Sequence, residues 1–183
     1  MPRIQPVDPT AAKGKAKSLL DGVQKALGLV PNLYRVVAQS PAALEGLVGL
    51  NGALAQGVLG AKLRARIALG VAERNGCDYC LSAHTVLGKG AGLNDADMAQ
   101  ARDGRAADPK TDAALRFAVG IVERRGQTND AELAALRQAG YGDAEIVEIV
   151  SVTVLNILTN YLNHVAATEI DFPIVRTKVS AAA

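Results

Sequence analysis

The sequence predicts an all-α fold of about seven to nine helices in a single-domain bundle, and three observations carry that prediction. No proline falls between Pro41 and Pro109 or between Pro109 and Pro173, and both stretches are rich in Ala, Leu, Arg and Glu, which lose little freedom in a helix. Glycines and N-capping residues divide these stretches into segments of helical length. No segment sustains the apolar–polar alternation of a half-buried strand.

Pro2, Pro6 and Pro9 mark an extended N-terminal arm over about residues 1–10, because each fixes φ and lacks an N–H. Ser40 as N-cap, with Pro41 at the first helical position, opens a helix that reaches Gln56 and stops at Gly57. A second helix covers about Ala61 to Arg74 and ends at Asn75-Gly76. A third starts near Cys77 and stops by Gly90; Asn94 caps a short fourth, ending at Gly104. Asp108-Pro109 opens a helix that stops at Gly126, and Thr128 or Asn129, with Glu132 behind, opens one ended by Gly140. Asp143 opens a long, mostly apolar helix to about Thr168. Its Val and Ile run could pass for a strand, but its length without Gly or Pro favours a buried helix.

The 183 residues suit one domain, 1–183, with a core that needs no disulfide or metal staple. Hydrophobic residues at 49% and charged residues at 21% are globular proportions. A net charge of +2 gives no pull toward nucleic acid or membranes, and 3% aromatic residues without Trp argue against a base-stacking platform. The first eighteen residues contain no apolar signal core. The most apolar segment, Ile146 to Leu162, is interrupted by Glu148, Ser151, Thr153, Asn156, Thr159 and Asn160, so no membrane span and a cytoplasmic location are expected. With no glycine-rich phosphate loop or dinucleotide fingerprint, no bound organic cofactor is expected.

Chemistry concentrates in Glu73-Arg-Asn-Gly-Cys77-Asp-Tyr-Cys80-Leu-Ser-Ala-His84. On a helix, Cys77, Cys80 and His84 share an arc of about 60°, and Cys80 and His84 are direct i, i+4 neighbours. Both sulfurs are expected in the first turn, where free N–H groups and the positive dipole end favour a thiolate. A neighbouring imidazole can take the thiol proton, and a second cysteine can close a disulfide. Two other readings exist: buried cysteines acting as small hydrophobes, and a three-ligand zinc site of Cys77, Cys80 and His84. The shared face argues against the first; the lack of a second CxxC, with His164 the only other histidine, argues against the second.

Cys77-Asp-Tyr-Cys80-x-x-x-His84 resembles the core motif of the alkylhydroperoxidase D-like proteins of the carboxymuconolactone decarboxylase superfamily. The resemblance runs from Gly28-Leu-Val-Pro-Asn-Leu-Tyr34 to the segment Asn160–Pro173, which is similar to the peroxidase-related branch. It implies an all-helical subunit assembling into trimers or hexamers and reducing hydroperoxides through the cysteine pair. It further implies Cys80 as the peroxidatic residue, Cys77 as the resolving one, His84 as the relay base, and an external dithiol as reductant. The family pattern places a glutamate twelve residues before the first cysteine, where this chain has Ala65. Glu73, four before Cys77, is the remaining carboxylate; it is either a relay group on the cysteine face or a solvated helix-end residue. Asn156, Asn160 and Asn163 recur at i, i+4, i+7; they either satisfy loop backbone or a neighbouring subunit, which is the expectation, or line the thiol pocket, with His164 beside them as a second proton carrier. Alternatives to the peroxidase reading are a decarboxylase or lactone-processing enzyme, which needs no dithiol, and a redox-sensing or zinc-binding oligomer without catalysis.

Overall fold

The computed structural model describes residues 1–178. Among the described residues there are nine helices and no strand. They are α1 (Gly14–Leu27), α2 (Asn32–Val37), α3 (Pro41–Ala55), α4 (Ala61–Arg74), α5 (Asp78–Gly90), α6 (Asp95–Arg102), α7 (Pro109–Glu123), α8 (Asp130–Gln138) and α9 (Asp143–Ala166).

The starts follow the capping residues legible in the sequence. Ser40 Oγ accepts from Ala43 N–H at 3.3 Å ahead of Pro41. Asn94 with Asp97, and Asn129 with Glu132, form reciprocal capping boxes. Asp108 accepts from Thr111 N–H at 2.8 Å, with Pro109 at the first helical position. α1 and α2 carry no such signal: neither N-cap, Lys13 or Pro31, makes a side-chain capping bond, and α2 is six residues long. The long helix ends at Ala166, short of Thr168, because Ala167 turns into the left-handed region at φ 49°.

α4 is the central helix. Its residues Ile67 to Glu73 are buried without interruption, because it packs against α5, α6, α7 and α9 together. At Gly70 a Cβ would stand 2.9 Å from the Ala101 carbonyl oxygen of α6, so the missing side chain sets that close approach. Leu69, Leu81, Leu115 and Ile149 bring α4, α5, α7 and α9 into one apolar cluster. α1, α2 and α3 pack on one another and reach α9 through α2 and α3. Residues 1–13 are not helical and run across α2 and the end of α9: Arg3 N–H donates to Ala166 O at 2.7 Å, and Val7 N–H to Arg35 O at 2.9 Å.

By length and composition alone α9 could cross a membrane, at a mean hydropathy of 1.3 over its most apolar window. In this fold it has two unlike sides. Thr153, Asn156, Asn160 and Asn163 are buried, whereas Val147, Val150, Val154, Leu158, Tyr161 and Val165 are exposed, at spacings of three and four residues that make one stripe.

The junction of α4 and α5 positions the cysteines. Gly76 sits at φ 65°, its N–H donates to Glu73 O at 3.1 Å, and Cys77 N–H reaches back to Ala72 O at 3.0 Å. These two bonds are the paired closure of a Schellman turn, which favours glycine at the left-handed position. An L side chain in that conformation costs about 1–2 kcal/mol. Gly76→Ala is therefore expected to lower unfolding stability by about that amount, read as a reduced urea midpoint with an unchanged slope; an unchanged midpoint would contradict this account of the turn.

Candidate functional site

The same turn gives Cys77 two jobs. It is the last residue of the α4 closure and the N-cap of α5, with extended backbone at φ −91° and ψ 90°. Its Sγ accepts from Cys80 N–H at 3.3 Å, where a capping Ser or Asp would use oxygen. Cys77 therefore lies just outside the helix rather than in its first turn as expected, because the Schellman closure holds its backbone extended; Cys80 is inside it. Both thiols are free and buried.

The buried asparagines of α9 face this pair. Asn163 Nδ2 donates to Cys80 Sγ at 3.2 Å. Asn160 Oδ1 accepts from Asn75 Nδ2 at 2.8 Å, tying α9 to the residue before the Gly76 turn. Asn156 Nδ2 bonds back to Val152 O at 2.8 Å. For Asn160 and Asn163 the expectation gives way to the other reading: they line the thiol site. Their spacing on an apolar helix was the visible signal, but which helix they would meet is set by packing.

The two sulfurs are electrostatically unequal. Burial pushes the Cys80 thiol up, but Cys77 and the nearby polar side chains of Asn163, Asn160 and Thr159 together bring it below the ordinary cysteine range, Asn163 being the one of the three α9 groups that closes to hydrogen-bond distance. Cys77 moves the other way: its hydrogen bond to Cys80, its burial and the nearby Cys80 charge all keep it protonated. The arrangement favours the thiolate at Cys80 and the thiol at Cys77.

His84 was expected to supply that stabilisation. The strongest groups lowering Cys80 are instead its cysteine partner and α9 side chains. Burial drives the His84 pKa down to about 4, partly offset by a hydrogen bond to Asn156. At neutral pH the imidazole is uncharged and a poor store for a thiol proton.

Glu73 fits neither of its expected readings. It is 1% exposed, so it is no solvated helix end. One carboxylate oxygen accepts from Arg102 Nε at 2.6 Å and the other from the Lys178 N–H. The Gly76 turn breaks the helix axis between Glu73 and the cysteines, and its side chain runs to α6 and the C-terminal segment. That segment is also held on α5: Asp78 accepts from Arg176 Nη1 at 2.7 Å and from Thr177 N–H at 2.8 Å, and Val175 N–H donates to Ser82 Oγ at 2.9 Å. Ala65 is half-buried against the core, and His164 is exposed, away from the buried stripe.

Tyr79, between the cysteines, fixes the start of α5. Its hydroxyl accepts from Leu33 N–H at 3.0 Å, and its ring meets Phe172 edge-on at 5.8 Å. Among the described residues no three His, Cys, Asp or Glu side chains converge as metal ligands. A cavity of about 180 Å³ lined by Pro2, Arg35, Thr168 and their neighbours shares no residue with the cysteine site.

Residues 41–124 match the carboxymuconolactone decarboxylase family. No curated protein matches the chain in sequence. In structure it is similar to the alkylhydroperoxidase AhpD core of an uncharacterized peroxidase-related protein from Ralstonia eutropha JMP134, at TM-score 0.83 and 23% identity over 93% of this chain and 92% of that one. An uncharacterized peroxidase-related protein from Silicibacter sp. TM1040 superimposes at TM-score 0.78 and 22% identity, over 92% of this chain and 91% of that one. A single-residue variant of the debrominase Bmp8, in complex with 2,3,4-tribromopyrrole, does so at TM-score 0.78 and 18% identity, over the same shares. At these identities the likeness is one of fold.

The His84 environment sets a pH dependence. Its folded pKa of about 4 lies below the ordinary 6.5, so between these values the unfolded chain binds a proton that the folded chain does not. Stability is therefore complete above about pH 6.5 and falls as pH drops toward 4. Because the ring is only partly buried, the loss is on the order of 1–2 kcal/mol. Urea unfolding at stepped pH is expected to show this loss in the wild type and a flatter profile in His84→Gln.

Proposed function

We propose that this alkylhydroperoxidase D-like member of the carboxymuconolactone decarboxylase superfamily reduces hydroperoxides through Cys77 and Cys80. The observation that carries the reading is the division of labour in the pair: the Asn163 amide donates to Cys80, whose surroundings shift it toward the thiolate, while those of Cys77, one helical turn away, favour the thiol. A dithiol so divided is arranged for nucleophilic attack followed by resolution. Decarboxylation requires neither sulfur.

The Cys80 thiolate attacks the terminal peroxide oxygen and the O–O bond breaks. The sulfur becomes a sulfenic acid, two electrons pass to the peroxide, and the departing alkoxide or hydroxide takes a proton to leave as alcohol or water. The Cys77 thiol then attacks the sulfenic sulfur, expelling water and forming the disulfide, which an external dithiol reduces. Glu73, committed to Arg102 and Lys178, has no part in proton transfer, and His84 acts only as a neutral imidazole. We infer a cytoplasmic location, where the reducing pool regenerates the pair.

One equivalent of hydrogen peroxide is expected to remove both thiols and two hydrogens per chain, by thiol titration and intact mass. Cys77→Ser should stop at a sulfenic acid trapped by dimedone, and Cys80→Ser should react with neither. Two thiols left free in the wild type would overturn the reading.

The same reading makes the chain a homo-oligomer, trimeric or hexameric. The exposed stripe of Val147, Val150, Val154, Leu158, Tyr161 and Val165 on α9 is a contiguous apolar face of the kind subunits bury. Light scattering is expected to give a trimer or hexamer mass at micromolar concentration, reduced by a Val154→Glu, Tyr161→Glu double variant; a monomeric wild type would exclude the assembly.

A further inference from the structure

Two buried amide atoms at the cysteine site have no hydrogen-bond partner among the described residues: Asn160 Nδ2 and Asn163 Oδ1. Asn160 is 0% and Asn163 4% exposed, and buried polar atoms in folded proteins are nearly always paired. The orientation of each amide is fixed by its other end. Asn160 Oδ1 accepts from Asn75 Nδ2, and Asn163 Nδ2 donates to Cys80 Sγ. With Asn75 as placed, turning Asn160 over would set two amide nitrogens face to face; turning Asn163 over would take its donor off the Cys80 sulfur. The site therefore offers one unused donor and one unused acceptor, both on side chains that bear on Cys80.

We propose that Asn160 Nδ2 and Asn163 Oδ1 form the binding subsite for the –O–O–H group of a hydroperoxide. The inference rests on Cys80 being the peroxidatic thiolate, and it names the residues that hold the substrate. A hydroperoxide matches the pair: its terminal O–H donates to Asn163 Oδ1, and its inner oxygen accepts from Asn160 Nδ2. Asn163 spans both partners, one end on the attacking sulfur and the other on the oxygen under attack. As the O–O bond breaks, the proton of the terminal oxygen stays with the new sulfenic acid, still facing Asn163 Oδ1. Negative charge collects on the inner oxygen, facing Asn160 Nδ2, and solvent supplies the proton that completes the alcohol or water. A donor aimed at charge that develops during reaction lowers the barrier more than it strengthens binding.

The test compares two electrophiles on the reduced full-length chain. Hydrogen peroxide uses both amide groups; iodomethane, with no hydrogen-bonding group, uses neither. Rates of Cys80 modification are followed by mass and divided by the thiolate fraction from the pH titration of thiolate absorbance. Two variants are used. Asn160→Leu removes the whole amide, and Asn160→Asp keeps an acceptor for Asn75 while deleting the donor, so it decides the matter if Asn160→Leu does not fold. The expected result is a fall of about 10²-fold in the peroxide rate per thiolate, the usual loss on removing one donor to a developing oxyanion, with the iodomethane rate per thiolate nearly unchanged. A parallel fall of both rates would show that Asn160 only shapes the site, and the subsite would be wrong while the peroxidase reading stood. A wild-type Cys80 that reacts with iodomethane but not with peroxide would overturn the peroxidase reading and the subsite with it.

Discussion

The hydrogen bond from Cys77 N–H to the Ala72 carbonyl, 3.0 Å long, is the constraint on which the site depends. It ends the central helix and leaves Cys77 extended, so that its sulfur caps the next helix by accepting from Cys80 N–H. One residue thus terminates α4, starts α5 and places one thiol against the other. Gly76 permits this because only a residue at ease with positive φ can make the closure. A regular helix through 73–84 would have strung the four candidate side chains along one face; the turn instead sends Glu73 to Arg102 and leaves Cys80 to Asn163 of α9.

α9 meets that geometry with an unusual inner face. Burying three asparagines in a long apolar helix is unfavourable unless each finds partners. Asn75 satisfies one amide oxygen, the Val152 carbonyl takes one amide N–H, and the Cys80 sulfur takes another. The last contact links stability to chemistry: an amide that must be paired to be buried is paired with the group whose negative charge it stabilises. The imidazole four residues along the same helix as Cys80 is left uncharged by its surroundings, so the groups that favour charge on the sulfur are dipoles and not a cation.

The C-terminal segment belongs to the same construction. Glu73 is buried with Arg102 at 2.6 Å, and a buried carboxylate stripped of its partner typically costs about 3–5 kcal/mol. Its second oxygen engages Lys178, while Asp78 and Ser82 hold residues 175–177 along α5. The carboxylates nearest the cysteines in sequence are therefore structural: Asp78 fastens Arg176 and Thr177 to α5, and Glu73 fastens Lys178 to α4.

Local chemistry determined much of this molecule. Ser40-Pro41, Asn94, Asp108-Pro109 and Asn129 act within a turn of themselves, and so the starts of α3, α6, α7 and α8 could be read from sequence. The cysteine spacing and the unusual asparagine periodicity were legible for the same reason. α1 and α2 were not, because no capping side chain announces them and packing against α3 supports them. Which side chains meet was decided only by the tertiary fold. The helical wheel put His84 beside Cys80, but a sulfur in the first turn of α5 can bond either along its own helix or across to α9, and the packing of α5 on α9 brought Asn163 within 3.2 Å. Glu73 was likewise free to face the cysteines or α6 until the Gly76 turn and the position of Arg102 settled it. Sequence determines neighbours within about one helical turn, since covalent geometry does that alone; partners 83 residues apart exist only once the cores of several helices have closed on one another.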